Sequence, residues 1–527
     1  MSMASAIETI LLLMVGALML VLLAQRLRVA FPIALVLGGL AIAFIPGLPR
    51  VVLEPDVVFS LFLPPLLFAS AFFMPWEEFR FNLRPILMLA VGLVLATATA
   101  VAFLCQALFD WPLAVGFVLG AIISPPDAVA ASAVAQRLPL PRRVITVLEG
   151  ESMVNDAVGL VLLKFAVAAV VTGQFSMMAA GGEFLKLAIG GLAWGLAAAY
   201  VSKQFMDRLC DPETTAVFTL FVPFACYLPA EHLGFSGVLA AVAGGMYFGY
   251  HSHDSFAPST RLQANAIWSA WLFLLNGLVF ILIGLQLPTI LQEITEYSVW
   301  SLFVSAAAVS AVVIVVRIIW VFPATYLPRA LSPALRKRDP YPSWRNVAVI
   351  SWCGMRGIVS LAAALALPLT TAAGEAFPHR ALILFLAFAV ILVTLVVQGL
   401  SLTPLIKALG LSEEVAEDEV MEAKRLSLEA ALIEIDKLAK LGELSEAGVS
   451  LLRQRYRHML RVLDESDEEA GDLQGHTRLI GVALTAERKI LRELMRNGVI
   501  SDVIFRRLDR DLDLQFARLD EGMRDHG

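Results

Sequence analysis

The sequence predicts an all-α polytopic membrane protein of about thirteen transmembrane helices, with inverted repeats and two crossed discontinuous helices, followed by a cytosolic helical domain. Three observations predict it. Charge is segregated: 44 of the 86 charged residues in this 527-residue chain lie after Gly410. The first 410 positions are therefore only about 10% charged, where soluble domains carry about 25%. Runs of 18 or more apolar residues recur through the same positions, and each is long enough to cross roughly 30 Å of hydrocarbon. Finally, Lys and Arg crowd into alternate loops. These features exclude a soluble enzyme, a disordered chain and a nucleic-acid binder. An outer-membrane barrel is excluded as well, since its strands would alternate polar and apolar residues.

Hydropathy places the spans near 6–24, 31–48, 57–74, 85–108, 112–135, 148–171, 185–203, 214–230, 235–250, 266–290, 299–322, 346–370 and 380–408. The first run, Ile7 to Ala24, has no basic region before it and no small-residue cleavage site after it. It reads as a retained span, not a signal peptide. With the N-terminus outside, the inner loops carry Arg26 and Arg28, Arg80 and Arg84, Arg137, Arg142 and Arg143, Lys203 and Arg208, Arg261, and the group from Arg329 to Arg345. The outer loops hold little beyond Arg50, Lys186 and Arg380. An odd number of spans then leaves the C-terminus in the cytoplasm.

Residues 1–410 form the membrane domain and 411–527 the tail. Apolar positions at three- and four-residue spacing, such as Leu428, Leu432 and Ile435, predict tail helices near 413–441, 446–464, 476–497 and 499–519. The acidic stretch Asp464 to Glu469 reads as a solvated linker, and the tail as a regulatory or dimer-stabilising appendage. The four cysteines are scattered without metal-ligand or disulfide spacing and read as apolar fillers.

Function is expected where the membrane domain is polar. Asp127 falls mid-span in SPPDAVA (Ser124 to Ala130). Pro125 and Pro126 lack amide hydrogens and break the ladder just before it. Broken backbone at membrane depth persists only where it faces protein or water, so a break beside an acid reads as an ion site. Asp127 is also placed to cap the second half-helix. The sixth span opens LEGESMVNDAVGLVL (Leu148 to Leu162). Ser152 and Asp156 share one helix face, as do Glu151 and Asn155. Oxygens from Asp156, Asp127 and Ser152 suit a hard cation. The twelfth span holds Arg356 between Gly354 and Gly357. A buried Arg needs an anion, and Glu151 is the expected partner. Arg317 in the eleventh span is a possible second counter-charge for the crossing half-helices. With the first helix set aside, two sets of six spans remain. The two broken spans then miss matching positions by one, which a single mis-split span near 214–250 would repair.

Seven ordered phrases carry a family resemblance: FLPPLLFASAF (from Phe62), SPPDAVA, GESMVNDAVGLVL, GFSGVLAAVAGGMYFG (from Gly234), FLLNGLVFILIGLQL (from Phe273), GMRGIVSLAAALALP and TLVVQGLSLTPLIKALGL (from Thr394). They resemble the first branch of the monovalent cation:proton antiporter superfamily, the sodium/proton exchangers, over nearly the whole membrane domain. The tail phrase Leu484 to Leu508 resembles that of bacterial members. The resemblance implies a thirteen-helix homodimer in the bacterial inner membrane. In it, a core with two crossed unwound helices moves against a dimerisation domain. By motif match Asp156 is the ion-binding and proton-exchanging acid, and Asn155 is the neutral member of the Asn-Asp pair of electroneutral exchangers. Asp127 and Ser152 are ligands, and Glu151 with Arg356 is the buried ion pair. One departure stands out: Ala69 occupies a position where some relatives have an acid.

The expected activity is exchange of Na+, and also Li+, for H+, with no cofactor beyond the transported ions. A carboxylate withdrawn from water does not stay bare, because an uncompensated charge there is strongly disfavoured. Asp156 would hold either a proton or a cation, and competition for one group is exchange. With Asn155 neutral, both loaded states carry equal charge. The alternatives are a K+/H+ antiporter of the same fold, a cation channel, and an intramembrane aspartyl protease with Asp127 and Asp156 as its dyad. The protease lacks its Gly-x-Gly-Asp signature here, since Val154-Asn155 precedes Asp156.

Overall fold

Among the described residues helix follows helix between Met3 and Leu409; the apolar windows fall on helices, and of the window 112–135 the described part begins with one. The computed structural model describes residues 3–27, 29–45, 53–127, 129, 140–173, 177–209, 211–255, 258–294, 297–411, 417–440, 446–464 and short stretches between 484 and 515. Among them no strand occurs beyond one isolated bridge, Thr370 with Ala376. The helices are α1 (Met3–Leu27), α2 (Phe31–Ala43), α3 (Pro55–Phe73), α4 (Leu83–Phe109), α5 (Leu113–Ile123), α6 (Arg142–Thr172), α7 (Met177–Met206), α8 (Pro212–His232) and α9 (Gly237–Ser255). They continue with α10 (Pro258–Leu285), α11 (Val299–Leu331), α12 (Trp344–Trp352), α13 (Ile358–Leu365) and α14 (Arg380–Leu409). Among the described residues, eight helices are both long and apolar enough to cross a membrane; Leu12–Leu27, α2 and α5 are apolar but shorter.

Two local features set the architecture. Prolines start many helices, at α3, α8 and α10 among others, where their missing amide hydrogen is not needed. At the start of α8, Asp211 caps the helix by accepting bonds from the Thr214 amide at 2.8 Å and hydroxyl at 2.6 Å. Those bonds hold its carboxyl below the usual carboxylate range. Wide π-type turns interrupt α3 at Val58–Phe62, α4 at Met88–Leu93 and α14 at Thr394–Gln398. Such turns add a residue and shift the face that follows.

The order long helix, interrupted helix, long helix occurs twice: α4-α5-α6, then α11-α12/α13-α14. The spacing between the interrupted spans is seven, not six. The region 214–250 contains two separate helices, α8 and α9, so no mis-split span there repairs the match. The two interrupted spans match when the seventh apolar window, not the first, is set aside: each is then the fifth of a set of six.

Contacts divide the chain into two units, residues 1–413 and 414–527. In the second unit α15 (Glu417–Lys440) and α16 (Glu446–Asp464) are described, with Arg453 of one helix paired to Asp436 of the other. The expected linker 465–469 lies outside the described residues, as does most of the expected helices 476–497 and 499–519.

Candidate ion site at the crossing of two broken helices

Both expected interruptions are present. α5 ends at Ile123, and the backbone at Ser124 to Asp127 is not helical. Residue 128 and residues 130–139, the second half of that span, lie outside the described residues. The other interrupted span breaks over five residues, Cys353–Gly357, between α12 and α13. The two breaks meet. The Asp127 amide donates to the Met355 carbonyl at 2.7 Å, so polar groups released by one break are taken up by the other.

Electrostatics at this crossing follows helix polarity. The Asp127 carboxyl meets backbone amides and the start of α13. Its Oδ1 accepts from the Val129 amide at 2.8 Å. Its Oδ2 occupies the space a Cβ on Gly357 would need, at the start of α13. Only glycine permits that approach. Cationic Arg side chains lie at carbonyl-bearing helix ends. Arg356 donates to Ile123 O at 2.9 Å and Ser124 O at 3.4 Å, at the end of α5, and also to Gly354 O. Arg317 donates to Ile350 O in the last turn of α12, at 3.1 and 3.2 Å. Arg380 donates to Leu365 O and Leu367 O at the end of α13, at 3.3 and 3.2 Å, and pairs with Glu293 at 3.4 Å.

The expected Glu151–Arg356 ion pair is corrected. Glu151 pairs with Arg317 through two parallel bonds, 2.6 and 2.8 Å, with side chains 1% and 0% exposed. Arg356 is buried too, but its charge is met by carbonyl dipoles in place of a carboxylate.

α6 brings the remaining candidates to the crossing. Gly159 lets it approach: a Cβ there would collide with Pro125 and crowd Ala121 O. Asn155 is fully buried, and its Nδ2 donates to Pro126 O at 2.8 Å. Its Oδ1 is buried without a hydrogen-bond partner. Asp156 is 7% exposed and follows Asn155, whose amide is bonded to the residue before Asp127. Ser152 is half-buried one turn earlier. Buried Asp156, the unpartnered Asn155 oxygen and half-buried Asp127 therefore gather at one crossing, a donor set suited to a hard cation.

Ala69, at the position of the departure, is buried in an apolar cluster with Phe68, Phe248 and Trp268. Sequence reasoning missed three participants. Thr394 Oγ1 accepts the Arg356 amide at 3.2 Å. Arg380 caps α13. Asp339 gathers Arg84, Arg143 and Arg329, from the ends of α4, α6 and α11, at 3.2, 2.8 and 2.5 Å. The family phrase from Thr394 was a signal for the first. For Asp339 there was none, since RKRDP reads as a basic loop.

The comparisons agree in kind. A family model described as "Sodium/hydrogen exchanger, transmembrane" matches residues 10–408. A protein of Mycobacterium tuberculosis named as an uncharacterised Na+/H+ exchanger is 36% identical, over 94% of this chain and 93% of its own length. A Bacillus subtilis protein named a sodium, potassium, lithium and rubidium/H+ antiporter is 33% identical, over 89% of this chain and 71% of its own. The solved structure of the sodium proton antiporter MjNhaP1 from Methanocaldococcus jannaschii at pH 8 shares the fold, with a TM-score of 0.59 at 20% identity. That match covers 78% of this chain and all of that one.

Proposed function

The chain belongs to the transmembrane sodium/hydrogen exchanger family, and from that premise we propose that it exchanges Na+ for H+, one for one, with both competing for Asp156. It is a multi-pass membrane transporter, not an enzyme. The observation that carries the proposal is the bond from Asn155 to Pro126 O, which brings buried Asp156 and the unpartnered Oδ1 of Asn155 to the break that holds Asp127. Two withdrawn carboxylates repel one another and are relieved by a proton or a cation. Ser152, half-buried one turn before Asp156, completes a set of oxygen ligands.

Asn155 is neutral and its amide is anchored to Pro126, so it orients without titrating. The proton-loaded and sodium-loaded forms then carry equal charge, and the cycle is electroneutral. Access alternates as one bundle of helices moves about the crossing. Thirteen spans, with the N-terminus outside and the C-terminus in the cytoplasm of a bacterial inner membrane, fit the loop charges. The functional unit is a homodimer, and the tail regulates or stabilises it. Li+ is accepted with Na+. The name of the Bacillus subtilis relative favours K+ as a second substrate.

The test is proton flux in proteoliposomes, followed with a pH-sensitive dye on addition of Na+, Li+ or K+. Na+ and Li+ should collapse the gradient with wild type and not with Asp156→Asn. Substantial flux through a well-folded Asp156→Asn protein would sink the assignment. A K+ response as large as that to Na+ would make it a broader exchanger.

A further inference from the structure

The phrase from Thr394 to Leu411 carries a side chain that the ion site leaves unused. Gln398 has no solvent exposure, and neither its Nε2 nor its Oε1 has a hydrogen-bond partner. Burying an amide without partners destabilises a fold. Most buried polar groups are paired, so a doubly unpaired one at this depth calls for an explanation.

Its position says which. Gln398 closes the wide turn Thr394–Gln398 of α14, and turns of this kind recur at functional sites. Thr394, four residues before, receives the Arg356 amide. Ser401, three residues after, receives Trp352 Nε1 at 2.9 Å. A side chain on Gly399 would touch Met355. Residues 394, 398 and 401 share one helix face. Gln398 thus stands between the point where α14 holds Arg356 in the break and the point where it holds Trp352 just before it.

We propose that Gln398 is a positioning residue for exchange: its amide hydrogen-bonds the unwound backbone of Cys353–Gly357 in a conformation of the transport cycle other than this one. The inference rests on the exchange reading above. An unwound peptide offers both donors and acceptors, and Gln alone among residues of this length matches both at once without charge. Unpaired here and paired there, the amide shifts the balance between conformations toward the other state.

Gln398→Met keeps the length and approximate volume and removes both polar ends; Gln398→Leu is a second variant. The readouts are thermal melting of the purified full-length protein and Na+-driven proton flux in proteoliposomes, with maximal rate and half-saturating Na+ measured separately. The melting temperature should hold or rise and half-saturating Na+ should stay put. The maximal rate should fall about fivefold or more, the scale of one hydrogen bond made in only part of the cycle. A lower melting temperature in both variants would mark an ordinary structural amide and overturn the proposal, and so would an unchanged maximal rate. If wild type itself shows no cation-driven flux, the exchange reading fails, and the melting result still decides whether Gln398 is a structural bond.

Discussion

Glu151 of α6 and Arg317 of α11 form a fully buried bidentate pair. They join the last helix of the first three-helix unit to the first helix of the second. Arg317 also holds Ile350 O at the end of α12. One guanidinium therefore fixes both the contact between units and the near side of the break.

Removing one partner leaves a bare charge where water does not reach. Arg317→Ala and Glu151→Ala should each destabilise the protein by about 3–5 kcal/mol. The double variant Glu151→Leu with Arg317→Met should do less harm than either single change. Melting of the purified proteins checks the order. Arg317→Lys should not rescue, since an ammonium cannot make the two parallel bonds and reach Ile350 O as well.

Gly357→Ala should abolish exchange. The added methyl group would need the space that the Asp127 carboxylate occupies, so either the carboxylate or the crossing must move. Overpacking of this kind destabilises by about 1–3 kcal/mol, less than Asp339→Asn below. Flux should thus be lost while much of the folded protein survives, which paired flux and gel-filtration measurements would show.

Asp339→Asn should loosen together the ends of α4, α6 and α11 that meet at it. Arg329 is buried, and losing the carboxylate would leave it with neutral partners beside Arg84 and Arg143. Breaking such a pair is worth roughly 3–5 kcal/mol. Each of Arg84→Ala and Arg143→Ala should be milder, because both are partly exposed. Melting of the three variants side by side tests the ranking.

The fold was legible because lipid demands long apolar runs, and those runs are countable. The breaks were legible for the same reason: Pro125, Pro126, Gly354 and Gly357 interrupt such runs beside charge. Partner choice was not legible. Arg356 and Arg317 lie at similar depth, and depth along a helix does not tell which face meets Glu151. The carbonyl ends that satisfy Arg356 leave no mark in composition. Asp339 stayed hidden among basic neighbours, since its value lies in where three distant helix ends converge. The match of repeats failed because the first span was the one set aside; α4-α5-α6 and α11-α12/α13-α14 are seven spans apart, as two sets of six with one span between them require, and hydropathy does not mark which span stands outside the repeat.

The most direct test of a cation and a proton competing for one carboxylate is half-saturating Na+ as a function of pH, measured with the reconstituted wild-type protein under equal pH on both sides. If both ions compete for Asp156, half-saturating Na+ rises as pH falls, while saturating Na+ restores the same maximal rate. Half-saturating Na+ that stays constant while the maximal rate alone changes with pH would mean that proton and cation occupy different groups, and would contradict the account.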